Sequence, residues 1–209
     1  MSIRVLLVDD FELVHDGLRM VLDPAPDIEV VGEVGDGLAG VSEAERLRPD
    51  VVLTDVRMPG LDGLDATRRM VDLDGPPIRV VMLTTFDLEE YLLEAVRAGV
   101  SGFTLKDAPA DELLDGIRAL AEGTGLIAPD RTTQLIEQMT RSRPPSPPPD
   151  GLTDTDRELL GLLARGYSNA SIARELGGAV ADDVAALLTK LSVRDRLQAV
   201  VLAYECRLA

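Results

Sequence analysis

Along the first 120 or so residues, short apolar runs alternate with amphipathic stretches, and the two periods predict two kinds of element. Strands are predicted near residues 3–8, 28–31, 51–54, 79–84 and 101–105, where Val, Ile and Leu follow one another as in strands covered on both faces. Helices are predicted near 11–22, 37–47, 63–73, 88–98 and 110–121. Asp23-Pro24-Ala25-Pro26, Arg48-Pro49-Asp50, Met58-Pro59-Gly60 and Gly75-Pro76-Pro77 combine residues that stop helices or start turns. Repeated βα pairs of this kind predict a parallel sheet wrapped by helices, the α/β class.

After Gly123 the alternation stops. A polar helix predicted over 130–140 leads into a proline-rich stretch, 143–150, in which five of six consecutive residues are proline. Proline has no N–H to give to a ladder, so this stretch reads as an extended spacer. Four more helices are predicted beyond it, near 154–165, 168–176, 180–191 and 194–207. Ser168 is placed to cap the second, and Val180, Val184, Leu187, Leu188 and Leu191 give the third one buried face. The organisation expected is an α/β domain over 1–122, a linker over 123–151 and a small all-α domain over 152–209, each domain large enough to bury a core.

The net charge of −16 is uneven: residues 1–150 carry 14 Lys+Arg against 29 Asp+Glu, and residues 151–209 carry 7 against 8. Neither part is basic, which argues against a polyanion partner for the molecule as a whole. No apolar run approaches the roughly 18 residues of a membrane span, and nothing resembles a signal peptide. A cytoplasmic protein without a membrane partner is expected. The single cysteine, Cys206, excludes an internal disulfide framework, and His15, the only histidine, has no second ligand candidate near it on its helix.

The strand ends carry the chemistry. The first ends in Asp9 and Asp10, the third in Asp55, the fourth in Thr84 and the fifth in Lys106. In an open parallel sheet, ligands bind outside the carboxyl ends of the strands where their order reverses, so these residues should converge. Two carboxylates about 4 Å apart repel by roughly 4 kcal/mol at an effective dielectric near 20, so three need a counter-ion. An oxygen-only set selects a hard cation such as Mg²⁺, with Asp10 and Asp55 as direct ligands and Asp9 acting through water. A carboxylate can attack a phosphoryl group provided that cations absorb the charge on its oxygens. Asp55 is the candidate phospho-acceptor, Lys106 the side-chain cation and Thr84 a hydroxyl donor to the phosphoryl group.

Over about 120 residues this ordered set, with Leu53-Thr54-Asp55-Val56-Arg57-Met58-Pro59-Gly60 at its centre, resembles the receiver domain of two-component response regulators. The resemblance implies a flavodoxin-like five-stranded sheet, phosphorylation of Asp55 by a partner histidine kinase and a further Mg²⁺ ligand from the backbone carbonyl of Arg57. It also implies an aromatic switch at Phe103 that turns inward when the threonine moves. Self-phosphorylation from small phosphodonors and slow self-dephosphorylation are the only catalysis it implies, so no autonomous enzyme is expected.

The segment from Leu152 to Asn169 resembles the start of the LuxR-type helix-turn-helix domain, and the two halves together resemble a NarL/FixJ-class response regulator that controls transcription. The family places the helix after Gly177-Gly178-Ala179 in the DNA major groove. Here that turn is about three residues shorter than the family pattern, enough to rotate and shift the helix by roughly 4.5 Å if nothing absorbs the loss. Ala181, Asp182, Asp183 and Ala186 stand where the family commonly carries lysine, threonine, histidine and arginine. Carboxylates there repel the phosphate backbone. Arg165, Ser168, Asn169, Arg174, Lys190, Arg194 and Arg196 remain as candidate DNA phosphate contacts. Two outputs stand side by side: weakened DNA binding as a homodimer or heterodimer, and regulation by protein contact, including sequestration of a partner.

Overall fold

The computed structural model of the chain describes residues 2–84, 92–123, 129–141, 144–177 and 180–209. The start of the helix expected at 88 and part of the turn at 177–179 lie outside the described residues.

Five parallel strands form one sheet: β1 (Ile3–Val8), β2 (Ile28–Val34), β3 (Val51–Asp55), β4 (Arg79–Thr84) and β5 (Gly102–Leu105). Their spatial order is β2-β1-β3-β4-β5, so the chain reverses direction across the sheet between β1 and β3. That reversal opens a crevice at the carboxyl ends of those two strands. The central strands are covered on both faces: Val5 to Val8 and Val51 to Leu53 are fully buried. The edge strand β2 runs three residues further than its apolar run predicts. Beyond a register shift at Val5/Leu6, Gly32, Glu33 and Val34 still pair with Leu6, Leu7 and Val8.

Helices α1 (Glu12–Leu22) and α5 (Ala110–Ala121) cover one face, packing Leu18, Leu22, Leu113, Ile117 and Leu120 on Val5, Leu7, Leu53 and Leu83. Helices α2 (Gly37–Leu47), α3 (Gly63–Val71) and α4 (Leu92–Ala98) take the other. Asp36 and Asp62 cap α2 and α3 by accepting from the backbone N–H groups of Ala39 and Asp65. Gly63 opens α3 because its backbone lies against the carbonyl of Asp55, where a Cβ would collide with that oxygen. The loop after β3 is thereby closed down on the strand that carries Asp55.

Among the described residues five more helices follow: α6 (Pro129–Arg141), α7 (Asp154–Ala164), α8 (Asn169–Leu176), α9 (Val180–Leu191) and α10 (Arg196–Glu205). A full capping box starts α7: Asp156 N–H donates to the Thr153 hydroxyl, and Asp156 accepts from Thr153 N–H. Val180, Val184, Leu187 and Leu191 are buried on α9, as their spacing predicts, and Ser168 caps α8.

The linker departs from a free spacer. Ile136 of α6 is buried in the same apolar cluster as Leu160, Leu163 and Val200, and α6 packs on α10. The described prolines run against the end of α10, with Ser146 N–H donating to the Glu205 carbonyl at 2.8 Å and Cys206 Sγ to the Pro147 carbonyl at 3.5 Å. A serine between prolines retains an N–H, which is how this stretch docks despite its composition. Ile136→Ala should lower stability by about 2–5 kcal/mol, read as a fall in the urea midpoint at unchanged slope. A shift below about 0.5 kcal/mol would mean that α6 is not part of this core.

Candidate phosphoryl-transfer site

Asp9, Asp10, Asp55, Thr84 and Lys106 stand at the carboxyl ends of β1, β3, β4 and β5. The chain supplies them from positions nearly a hundred residues apart, and the topology makes them neighbours. Lys106 is the hinge of the group: its Nζ lies 2.6 Å from Asp9 Oδ2 and 3.1 Å from Asp55 Oδ1. The other Asp9 oxygen accepts from Phe11 N–H at 3.0 Å, while Oδ2 of this nearly inaccessible carboxylate is met by the Lys106 ion pair and by no hydrogen bond. Asp10 differs. Its Oδ1 is buried without a hydrogen-bond partner, an arrangement that is costly unless a donor or a cation meets it.

Burial pushes the Asp55 carboxyl above its usual range; Lys106 pulls it back, and Asp9 adds a further upward push. Burial works against the charge of Lys106, but its close pairing with Asp9 and the charges of Asp55 and Asp9 more than offset it, holding the ammonium above its ordinary pKa. Ligand oxygens of Asp9, Asp10 and Asp55 all lie within 4.8 Å of one another, close enough for one hard cation to be reached by some directly and by others through water. The three acids thus fit a divalent cation, and the unpartnered Asp10 oxygen points to where it would sit.

Thr84 is buried at the end of β4, and its carbonyl accepts from Lys106 N–H at 2.9 Å. Phe103 is 3 % exposed and sits in a cluster with Met82, Leu64 and Ala95, so its ring faces inward. Arg57 is exposed in the loop that follows Asp55. Two contributors were not visible in the sequence pattern. Phe11 lies 5.7 Å from the Lys106 ammonium with an exposed ring, and Gly63 fixes the Asp55 backbone from below. His15 pairs with Glu33 at 3.8 Å, away from these acids.

The candidate DNA contacts fare differently. Arg196 is 4 % exposed; its guanidinium donates to the Tyr167 carbonyl and to Asn169 Oδ1, and burial lowers its pKa to about 10. This corrects the assignment of Arg196 as a group facing DNA: it ties α10 to Tyr167 and to Asn169 at the start of α8. Ser168 is occupied as a cap, Lys190 pairs with Asp156 at 2.5 Å, and Arg194 pairs with Asp72 at 2.7 Å. Arg165 and Arg174 remain exposed. On α9, Ala181, Asp182, Asp183 and Ala186 all face solvent.

The Lys190 and Thr153 contacts hold the Asp156 carboxyl at about 2. A depressed carboxyl contributes stability above its unfolded pKa and loses it as pH falls through the folded value, here between about 4 and 2. Asp156→Ala should cost about 0.5–2 kcal/mol at pH 7 and much less at pH 2, measured by urea titration at both. An equal cost at both would remove the charge from the argument.

Residues 5–118 match the family model for the response regulator receiver domain. The chain is 36 % identical over 208 residues to the response regulator protein VraR of Staphylococcus epidermidis, covering 98 % of each. It is 37 % identical over 206 residues to the transcriptional regulatory protein LiaR of Bacillus subtilis, covering 97 % of each. Among solved structures, the response regulator ChrA of a heme-sensing two-component system is 37 % identical, with a TM-score of 0.55 over 100 % of this chain and 99 % of that one. A flavodoxin-like receiver with its acids gathered at the switch point, joined to a helical output domain and similar end to end to such regulators, makes this chain a two-component response regulator of the NarL/LuxR type.

Proposed function

We propose that the chain is a cytoplasmic transcriptional regulator gated by phosphorylation of Asp55, which a histidine kinase partner supplies. The observation that carries this reading is the Lys106 ammonium held between Asp9 and Asp55 at the switch point. In the transfer, an Asp55 carboxylate oxygen forms the new bond to phosphorus as the P–N bond of the phosphohistidine breaks. Lys106 neutralises charge on the equatorial oxygens and the Thr84 hydroxyl donates to one of them. Asp10, Asp55 and the Arg57 carbonyl would hold Mg²⁺ directly, with Asp9 reached through water because its oxygens already serve Lys106 and Phe11. When bound, that ion lends the phosphoryl group positive charge. Thr84, drawn toward a phosphate, would shift the loop that follows it, whereas Phe103, the expected aromatic switch, is already inward in this structure. No reaction beyond this chemistry on itself is assigned to the chain.

Asp10→Ala should weaken Mg²⁺ binding by about tenfold or more, and Asp9→Ala by clearly less, in calorimetric titrations of the full chain. Equal affinities in the two variants and the wild type would defeat the ligand assignment.

For the output, the reading is a LuxR-type helix-turn-helix whose recognition helix, α9, is shortened at its entry and acidic. A second reading, regulation by contact with another protein as a homodimer, heterodimer or sequestering partner, is favoured by one specific observation. The only base on α9, Lys190, is paired with Asp156, while Asp182 and Asp183 are exposed. Binding of the phosphorylated protein to genomic DNA fragments across a salt series discriminates the two.

A further inference from the structure

The two domains meet at the end of the sheet opposite the acidic site. Ser101, immediately before β5 and 2 % exposed, donates its hydroxyl to Asp195 Oδ2 at 2.8 Å. The other oxygen of Asp195 caps α10 by accepting from Gln198 N–H at 3.1 Å. Next to it, Arg194 donates to Asp72 at the end of α3. Its guanidinium lies over Gly99, where a Cβ would come within 3.0 Å of it. Around these polar contacts, Ala98 and Val100 share one apolar cluster with Leu197 and Val200, and a cleft of about 290 Å³ runs alongside between Val71, Ile78, Arg79 and Asp195. The receiver thus grips the output domain by the start of α10. The outer face of α9, with Ala181, Asp182, Asp183, Ala185 and Ala186, is exposed in this docked form.

We propose that Ser101–Asp195 and Asp72–Arg194 form an interdomain latch that holds the output domain docked with the recognition-helix position already presented, Asp195 being the positioning residue that ties the α10 cap to the receiver. Docking and presentation of α9 coexist, so a signal need not undock the domains to uncover that helix. The inference is independent of whether α9 meets DNA or protein. Interfaces between domains of one chain are ordinarily loose enough to permit relative motion, and a buried hydroxyl–carboxyl bond reinforced by an ion pair is the kind of contact that restrains it. Burial raises the Asp195 carboxyl, opposed by its bonds to the Gln198 N–H, Ser101 and the Leu197 N–H and by the charge of Arg79 on β4; Arg194 lies beside it. Asparagine at 195 can still accept from Gln198 N–H and donate to the Ser101 oxygen, which separates the latch from the charge.

The test uses the full unphosphorylated chain. Ser101→Ala combined with Arg194→Ala should expand the radius of gyration from small-angle X-ray scattering by about a tenth or more, as expected for undocked domains, while Asp195→Asn should leave it unchanged. Ala185→Cys should react with a maleimide within about twofold of the rate of Ser2→Cys, an exposed reference, both with and without the Ser101→Ala and Arg194→Ala pair. An unchanged radius in the double variant, with circular dichroism showing both domains folded, would overturn the latch. Protection of Ala185→Cys by about tenfold or more in the docked protein would overturn the presentation of α9. Should the double variant fail to fold, Asp72→Ala, which removes a surface partner only, reads the same expansion at smaller amplitude.

Discussion

Asp55→Asn should abolish the acid-labile phosphate that the wild-type chain acquires from acetyl phosphate and Mg²⁺. The loss should be complete within detection, about a hundredfold or more, because the amide cannot supply the nucleophilic oxygen and the two neighbouring carboxylates have other roles. Asp9 is buried against Lys106 and Phe11 N–H, which occupies its oxygens, and Asp10 faces the position assigned to the cation. Asp55 stands at the end of central strand β3, 3.1 Å from the ammonium. Intact-mass spectrometry of both proteins, with a chelator control that should silence the wild type, is the measurement. Undiminished phosphorylation of the variant would assign the chemistry to another carboxylate and dismantle the site.

The second large effect concerns DNA. With two acids and one paired base on the outward side of α9, the wild-type chain should prefer no duplex sequence over random duplex by more than about tenfold at physiological salt, where specific complexes usually exceed nonspecific ones by about 10³. Asp182→Lys with Asp183→His should tighten duplex binding by about tenfold or more and steepen the salt dependence by about one unit, since it removes repulsion and adds a phosphate contact. Fluorescence anisotropy across 50 to 200 mM salt, roughly the range over which counterion release dominates, measures both. The full chain is required, because a fragment beginning after the prolines would lack α6, and with it the buried Ile136. A nanomolar, sequence-specific complex of the wild type would restore an ordinary DNA-reading helix.

Most elements of both domains were legible in advance because local patterns specify them. Strands buried on both faces read as unbroken Val, Ile and Leu, and helices as apolar positions three and four apart, so α9 begins and ends where its spacing predicts. β2 was read short because its last residues are held by pairing with β1, a partner that the Gly32 and Glu33 side chains do not announce. The linker misled in the opposite sense. Proline content described the lack of regular structure but not the docking against α10, which depends on one intervening N–H and on buried residues of α6.

For the acidic site, residue types and order at the strand ends were enough to nominate Asp9, Asp10, Asp55, Thr84 and Lys106, since a parallel sheet brings its carboxyl ends together whatever lies between. The tertiary structure alone decided how the charges pair. Lys106 binds Asp9 more closely than Asp55, Asp10 is left with an unpartnered oxygen, and Phe11 and Gly63 shape the surroundings. The same division holds in the output domain. The sequence by itself determined that α9 carries acids where a DNA-reading helix carries bases. Only the fold showed that Arg196 is buried, that Lys190 answers Asp156, and that Arg194 answers Asp72, 122 residues earlier in the chain. A hydrophobic period is a property of neighbours along the chain; an ion pair is a property of neighbours in space, and packing is what makes distant residues neighbours.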